Sequence, residues 1–208
     1  MTGLWAIVPV KRLADSKSRL APALSAEQRR ALSLGLLRHT LALVAEFPGR
    51  ARTLVVSRDE TALALAAAGG FATLAEAPDA DLNDALEQAR AVAIGKGAAS
   101  LLVVAIDLPL LQVSDLRALA ASGAEPRAAA LAGDRHGTGT NGLYLKPADL
   151  IPFRFGDASL AAHLAALERR GVSPKRVVRP GFALDIDTPD DLAELRARAA
   201  RGAGLLKL

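Results

Sequence analysis

Basic side chains are concentrated in one short segment near the N-terminus, where Lys11 and Arg12 are followed by Lys17 and Arg19. An arginine fork can hold two phosphate oxygens and a lysine supplies a point charge, so these residue types suit a phosphate site. The segment matches neither G-x-x-x-x-G-K-S/T nor G-x-G-x-x-G, so backbone amides alone do not cradle the anion. We predict a polyphosphate site that depends on side-chain charge. The alternative is an exposed basic loop without a ligand.

A single carboxylate, Asp107, directly follows the most continuous apolar run of the chain, Leu101 to Ile106. Such a run predicts a strand that helices cover on both faces. A carboxylate at the mouth of a buried strand needs a hydrogen bond, a counter-charge or a metal ion, because desolvation without one is costly. We predict that Asp107 binds a metal ion. The alternative is a cap for the turn or for the next helix.

Asp185 and Asp187 are separated by one residue near the end of the chain. In an extended segment, this spacing directs both carboxylates to the same side. Together with Asp107 they would form the hard, anionic oxygen site that magnesium prefers. The alternative is that Asp187 caps the helix that follows. We assign Asp190 and Asp191 to the first turn of that helix, where the helix dipole attracts negative charge.

Several polar residues elsewhere could contact a substrate. Asn83 could bind a base or ribose through its amide, although capping of a nearby helix is the alternative. Ser159 and His163 are four residues apart on one face of a predicted helix and could meet an anionic substrate together with Thr140. The alternative for His163 is a surface position without a role. The histidines are too scattered to support a zinc site or a Ser/His/Asp triad. Further candidates are Thr138, Asn141 and Gly156.

The elements that must position these residues alternate between strand and helix. Residues 4–8 predict a central strand that ends at Pro9. Ser25 predicts the cap of the first helix, with Gln28 at the capping-box position. A further strand is predicted around residues 177–186. This alternation is typical of a Rossmann-like, three-layer α/β/α fold with a mostly parallel central sheet.

Such a sheet binds ligands beyond the carboxyl ends of its strands. We therefore expect a single domain over residues 1–208 in which distant loops converge at one edge of the sheet. The loops expected to converge are 9–20, 107–109 and 185–188.

Composition limits the class of protein. Apolar residues make up 51% of the chain, enough for a sizeable core. The net charge of +4 is spread along predicted helices and aromatic residues make up only 3%, which disfavours nucleic-acid binding by base stacking. The absence of cysteine excludes disulfides and Cys-ligated zinc. No apolar run reaches membrane-spanning length, so we expect a soluble cytoplasmic protein without membrane contact, which could form a homodimer through an exposed sheet edge.

Short motifs along nearly the whole chain resemble, in order, those of one family. This family is the phospholactate and phosphoenolpyruvate guanylyltransferases of deazaflavin coenzyme (coenzyme F-420) biosynthesis, within the GT-A-like nucleotidyltransferases. The matching segments are Ile7 to Lys11, Lys17 to Leu20, Asp81 to Leu86, Ile106 to Leu111, Gly139 to Asn141, Phe155 and Gly156 with Ser159 and His163, and Asp185 to Leu192. Asp-Leu-Pro alone is shared by many nucleotidyltransferases, whereas the ordered set is specific.

The resemblance implies a nucleotidyltransferase fold and transfer of GMP from GTP to a small phosphorylated hydroxy acid, with release of pyrophosphate. The acids concerned are 2-phospho-L-lactate, phosphoenolpyruvate and 3-phospho-D-glycerate. The acceptor phosphate is already an anion, so catalysis would need positioning and charge neutralisation rather than a general base. Alternatives are a molybdopterin guanylyltransferase-like enzyme, a cytidylyltransferase, or a nucleotide-binding regulatory module without turnover.

The resemblance also implies residue roles. Nucleotide binding would fall to Lys11, Lys17, Arg19, Asn83 and Asp107, with Lys17, Arg19 and Asp107 catalytic. One or two Mg²⁺ ions would be held by Asp107, Asp185 and Asp187. The acid would contact Thr140, Gly156, Ser159 and His163. The chain departs from the family pattern at residues 137–138 and 157–158, beside the expected acid site, so the acid is left open.

Overall fold

A computed structural model describes residues 3–121 and 125–200, and within them a seven-stranded sheet forms the centre of the protein. Its strands are β1 (Leu4–Val10), β2 (Thr53–Ser57), β3 (Ala72–Ala75), β4 (Ser100–Val104), β5 (Ala128–Gly133), β6 (Thr140–Lys146) and β7 (Lys175–Arg176). Their order across the sheet is β3-β2-β1-β4-β6-β5-β7. Among these strands only β6 is reversed, since it pairs antiparallel with both β4 and β5. The predicted mostly parallel sheet is confirmed.

Helices cover both faces of this sheet. They are α1 (Ala26–Val44), α2 (Glu60–Ala68), α3 (Leu82–Gly95), α4 (Val113–Ala120), α5 (Ser159–Glu168), α6 (Pro180–Ala183) and α7 (Pro189–Ala200). Apolar residues of α1, α2 and α4 pack in one cluster with Ala6 and Val8 of β1. Those of α3 and α5 pack in a second cluster with Trp5 and Ile7. Alternate residues of β1 therefore face opposite layers, as a three-layer α/β/α fold requires. No helix in the described ranges is long and apolar enough to cross a membrane.

The first strand does not end at Pro9, as the sequence predicted, but continues through it to Val10. β1 pairs with β4 only as far as Ile7, whereas its pairing with β2 continues to Val10. Beyond Ile7, the β4 side of the strand has no ladder in which the missing proline N–H would be needed. β1 and β4 therefore separate beyond Ile7, and this leaves room for a ligand between their carboxyl ends.

A third apolar cluster joins α7 to α1 and to the loop after β1. Leu20, in the 3-10 turn Ser18–Leu20, packs in this cluster with Leu36, Ile186 and Leu195. Leu20 and Ile186 are both fully buried. The cluster therefore holds the segment before α7 beside the basic loop.

The strand predicted around residues 177–186 is wrong. β7 has only two residues, and Pro180 opens the one-turn helix α6. Proline lacks the N–H that a strand ladder uses, and its fixed φ angle suits the first position of a helix.

The predicted alternation is nevertheless present in the acidic segment that follows α6. Leu184 and Ile186 are buried, whereas Asp185 and Asp187 are half-buried, so the two carboxylates share one side. The Ile186 N–H donates to the Asp107 carbonyl at 3.0 Å. This hydrogen bond fixes the segment against the end of β4 without making it a strand.

Capping of the first long helix follows the prediction, and that of α3 resolves an open choice. Ser25 and Gln28 form a reciprocal capping box at the start of α1. Asp81 forms the same motif with Asp84 at the start of α3. Asn83 is thus inside α3 rather than its cap, and its side chain is free for another contact.

Candidate active site

A cavity of about 780 Å³ opens beyond the carboxyl ends of β1 and β4. These strands mark the point where the strand order reverses, because β2 and β3 follow on one side of β1 and β4 returns to the other. Ligands of parallel α/β sheets bind at such a point. The three loops expected to converge meet here, and Lys17, Asp107, Asp185 and Asp187 all line the cavity.

Lys17 is the centre of charge in this cavity. Its ammonium nitrogen lies 3.1 Å from Asp107 Oδ2 and 3.0 Å from Asp187 Oδ1, and its side chain is only 7% exposed. Burial alone would lower the pKa of Lys17, but the charges of Asp107 and Asp187 outweigh it and raise the pKa above 10.5. The lysine is therefore a permanent cation between two carboxylates. The backbone of Lys17 is left-handed, with φ of 59°, which is an unfavourable conformation for a residue other than glycine.

The remaining basic residues of the loop are at the rim. Lys11, Arg12 and Arg19 line the cavity with exposed side chains. Exposed cations can turn toward a polyphosphate at little cost, whereas the buried Lys17 must exchange partners to do so.

Two polar residues at the carboxyl end of β2, Ser57 and Asp59, hold the basic loop, and the sequence analysis missed both. Ser57 Oγ donates to the Val10 carbonyl at 2.7 Å, and Asp59 Oδ2 accepts from the Leu13 N–H at 2.8 Å. The other oxygen of Asp59 caps α2 by accepting from the Ala62 N–H. The available signal was the position of these polar residues at the carboxyl end of a strand, as for Asp107.

Replacement of Asp59 by alanine is expected to weaken both the helix and the loop. Loss of the cap should lower the free energy of unfolding by about 1–2 kcal/mol. Loss of the Leu13 contact should weaken binding of inorganic tripolyphosphate to the basic loop about tenfold, the scale of supporting contacts in a site. Urea unfolding and calorimetry measure these effects. Asp79→Ala, which removes an exposed carboxylate outside the cavity, is the control, and equal behaviour of the two variants would contradict the anchoring role.

The carboxylates carry more negative charge than Lys17 neutralises. Burial, followed by the negative charge of Asp107, raises the pKa of Asp185 above its ordinary value of 3.8. In the described part of the chain, Asp107 Oδ1 is one of the few buried side-chain oxygens without a hydrogen-bond partner. Asp185 Oδ1 accepts a hydrogen bond from Asn141 Nδ2 at 3.3 Å. The site therefore has both surplus charge and an unused oxygen.

These features fit a hard divalent cation, although Lys17 occupies the space between two of the carboxylates. Among the described residues, no three side chains of His, Asp or Glu are already arranged around one point to hold a metal. The donor set is nevertheless all oxygen and anionic, which is the set that Mg²⁺ prefers. A cation near Asp107 would satisfy its free oxygen and relieve the repulsion at Asp185.

The opposite wall of the cavity is formed by hydroxyl groups and backbone. Thr140, Gly156 and Ser159 line it. Ser159 Oγ accepts from the Thr140 N–H at 2.8 Å, and Thr140 Oγ1 lies 3.0 Å from His163 Nδ1. His163 is fully buried behind these residues, so the alternative of a surface histidine is excluded. It does not line the cavity itself.

The amide of Asn83 is engaged by the backbone of one residue. Its Nδ2 donates to the Phe155 carbonyl at 3.0 Å, and its Oδ1 accepts from the Phe155 N–H at 2.8 Å. Asn83 is not among the residues that line the cavity. The structure thus shows a positioning contact, and the contact with guanosine stays a prediction.

One cavity therefore holds a basic loop, a group of carboxylates and a hydroxyl-lined wall. Residues 4–201, which include all three, match a family model described as "Guanylyl transferase CofC like". The chain belongs to this family. The protein is therefore a nucleotidyltransferase. Its cavity lies at the carboxyl ends of the strands, where sheets of this kind bind ligands.

Relatives of this guanylyl transferase match it over almost its whole length. A phosphoenolpyruvate guanylyltransferase from Sphaerobacter thermophilus is 41% identical over 198 residues, which are 95% of each chain. Another, from Rubrobacter xylanophilus, is 40% identical over 194 residues, 93% of this chain and 94% of that one.

Solved structures support the fold of this CofC-like protein. A protein described as a nucleotide-diphospho-sugar transferase, from Desulfovibrio desulfuricans, has a TM-score of 0.80 at 16% identity and covers 98% of this chain and 90% of its own. A nucleotidyl transferase from a Methanothermobacter species has a TM-score of 0.66 at 18% identity, with 97% and 99% covered. At such identities the likeness shows the fold alone, and it confirms the predicted Rossmann-like nucleotidyltransferase fold.

In the CofC-like protein, the helix cap beside the carboxylates is provided by Thr188 and Asp191. Asp191 Oδ2 accepts from the N–H groups of Asp187 and Thr188 and from the Thr188 hydroxyl, and Asp191 also pairs with Arg135. The alternative role of Asp187 as a helix cap is thereby excluded, since its carboxylate contacts Lys17. Asp190 is exposed, as expected for a residue of the first helical turn.

His163 should make this guanylyl transferase less stable in mild acid. Burial, with a smaller contribution from the Arg154 charge, lowers the pKa of His163 from 6.5 to about 4. The unfolded chain then binds more protons between these values, so stability falls as the pH falls through this window. We expect the free energy of unfolding to drop about 2 kcal/mol more between pH 7 and pH 5 in the wild type than in His163→Asn. Urea unfolding at both pH values measures this, and equal drops would contradict it.

Proposed function

We propose that this protein transfers GMP from GTP to the phosphate of phosphoenolpyruvate and releases pyrophosphate, as a step of coenzyme F-420 biosynthesis. The observation that carries the proposal is the meeting of basic loop, carboxylates and hydroxyl-lined wall in one cavity. Relatives with 40–43% identity, named phosphoenolpyruvate guanylyltransferases, support this acid over 2-phospho-L-lactate and 3-phospho-D-glycerate. Because both substrates are small metabolites, we expect the enzyme to act in the cytoplasm without a nucleic-acid or membrane partner.

The basic loop would bind the triphosphate of GTP. Lys11 and Arg19 can reach a ligand from the rim, and Lys17 supplies a charge from the buried side. Asp107, Asp185 and Asp187 would hold one or two Mg²⁺ ions. A bound ion would neutralise charge on the polyphosphate and so favour attack by a second anion.

The reaction needs no acid-base histidine. A bond forms between an oxygen of the acceptor phosphate and the α-phosphorus of GTP, while the bond from the α-phosphorus to the leaving pyrophosphate breaks. The attacking oxygen carries no proton that must be removed, and pyrophosphate leaves as an anion. The protein residues therefore bind, align and neutralise charge. Full burial of His163, the histidine nearest this wall, agrees with that assignment.

The proposal is tested by pyrophosphate release from purified protein with GTP and Mg²⁺, supplied with each acid in turn. We expect the highest kcat/KM with phosphoenolpyruvate and little release with CTP in place of GTP. A preference for CTP would assign the enzyme to cytidylyl transfer. No release with any of the three acids, despite GTP binding, would favour a regulatory module without turnover.

A further inference from the structure

We propose that His163 is a positioning residue of the acid subsite, which fixes the Thr140 hydroxyl as a hydrogen-bond donor and holds the backbone before Gly156 at the cavity wall. The inference rests on the proposed function, because it concerns how the acceptor acid is bound. His163 is fully buried and does not line the cavity, so it acts through residues that do.

Hydrogen bonding determines the tautomer of His163. The backbone N–H of Arg154 points to its Nε2 at 3.0 Å, so Nε2 must be an acceptor without a proton. A neutral imidazole then carries its proton on Nδ1. The ring stays neutral because burial lowers its pKa to about 4. Nδ1 is therefore a donor toward the groups that face it, which are the Thr140 hydroxyl and the Ser159 carbonyl.

This tautomer determines the role of the Thr140 hydroxyl. Since Nδ1 has a proton, Thr140 Oγ1 cannot donate to it, and the hydroxyl proton must turn elsewhere. The Ser159 hydroxyl is also an acceptor within the protein, because its Oγ accepts from the Thr140 N–H at 2.8 Å. Both residues line the cavity. Two hydroxyl groups that receive hydrogen bonds from the protein thus keep their protons available for an anion.

The same histidine holds the backbone on the other side of the subsite. It accepts from Arg154, and its ring meets the Phe155 ring edge-on, with centroids 4.8 Å apart. Asn83 binds both backbone polar groups of Phe155. The next residue, Gly156, has φ of +126° and open space where a Cβ would be, so its backbone is bare toward a ligand.

The start of α5 adds no free donor to this wall. The first two N–H groups of the helix, those of Ser159 and Leu160, already donate to the carbonyls of Gly156 and Thr138. The donors available to the acid are therefore the two hydroxyl groups, beside the bare backbone of Gly156, and His163 connects these two parts of the subsite.

The test is direct binding of phosphoenolpyruvate, by calorimetry, to protein saturated with Mg²⁺ and a GTP analogue whose α,β bridge cannot be cleaved. His163→Leu removes the hydrogen bonds of both ring nitrogens. It is expected to weaken binding of the acid at least about tenfold, while the Kd for the GTP analogue changes less than about twofold. His163→Asn keeps a donor near the Nδ1 position and should recover part of the loss. Thr140→Val should also weaken acid binding. In that background, His163→Leu should weaken acid binding by a smaller factor than in the wild type, because only the contact with the Arg154 N–H is then still to be lost.

If the double variant weakens acid binding by the full product of the two single effects of His163→Leu and Thr140→Val, the inference is overturned. It is also overturned if His163→Leu weakens binding of the acid and of the nucleotide equally. If His163→Leu does not fold, His163→Phe, which keeps a ring but lacks both ring nitrogens, and its double variant with Thr140→Val provide the same comparison. Wild-type protein that neither binds nor turns over phosphoenolpyruvate would overturn the proposed acid itself. Wild-type binding with an unaffected His163→Asn and His163→Leu would overturn the positioning role alone.

Discussion

Asp107→Asn is expected to lower the turnover of GTP and phosphoenolpyruvate roughly 10³-fold, the scale of losing a central electrostatic group. The change removes one negative charge from the pair that holds Lys17, and it removes an anionic oxygen that has no other partner. The amide has nearly the shape of the carboxylate, so the thermal unfolding midpoint should stay close to that of the wild type. Pyrophosphate release at saturating substrates measures the effect.

The matched control is Asp190→Asn, which removes an exposed carboxylate from the start of α7 without touching the cavity. Its turnover should stay near the wild-type value. Mn²⁺ binding, followed by electron paramagnetic resonance, should weaken in Asp107→Asn and not in the control. If Asp107→Asn keeps turnover within about tenfold of the wild type, the carboxylate only stabilises its turn.

Lys17→Met should have two opposite effects. Loss of the buried cation should lower kcat/KM for GTP by about 10²–10³-fold, because a charge next to the polyphosphate is missing. In the absence of nucleotide, Mn²⁺ should bind about tenfold more tightly, because Asp107 and Asp187 no longer share their charge with an ammonium group.

Lys96→Met, at the opposite end of the sheet on the exposed end of α3, is the control and should change neither quantity. The two readouts separate a specific role from misfolding, since a misfolded protein would lose activity and metal binding together. Weaker Mn²⁺ binding in folded Lys17→Met would show that the lysine supports the metal site rather than competing for it.

Much of the site follows from sequence because parallel strands end at one edge of a sheet. Asp107 follows a buried strand and Lys17 lies in the loop after another, so their meeting is a consequence of strand order. The spacing of Asp185 and Asp187 predicts a shared side, and the structure has it even though that segment is not a strand. Local alternation survives there because Leu184 and Ile186 must be buried.

What the sequence could not provide depends on contacts between distant residues. The sequence left open whether Asn83 caps a helix or contacts a ligand, and its actual partner is Phe155, which is 72 residues away and engages the Asn83 amide. The tautomer of His163 likewise depends on a backbone N–H in a different segment. Hydrophobic patterns report which face is buried, but they do not identify the partner of a buried polar group.

The strand predicted at residues 177–186 failed for a different reason. Val177 and Val178 have the β-branched side chains typical of strands, yet Pro180 cannot supply a ladder N–H. The chain turns into α6 instead. Local propensity therefore gave the wrong element, although the shared side of Asp185 and Asp187 was predicted correctly.

The most direct test of guanylyl transfer in this cavity is the mass of the product formed by wild-type protein from GTP, Mg²⁺ and phosphoenolpyruvate. We predict a species in which GMP is joined to phosphoenolpyruvate through a diphosphate, formed together with one pyrophosphate and absent with Asp107→Asn. Release of GDP and phosphate without a joined product, or an equal yield from Asp107→Asn, would contradict this account.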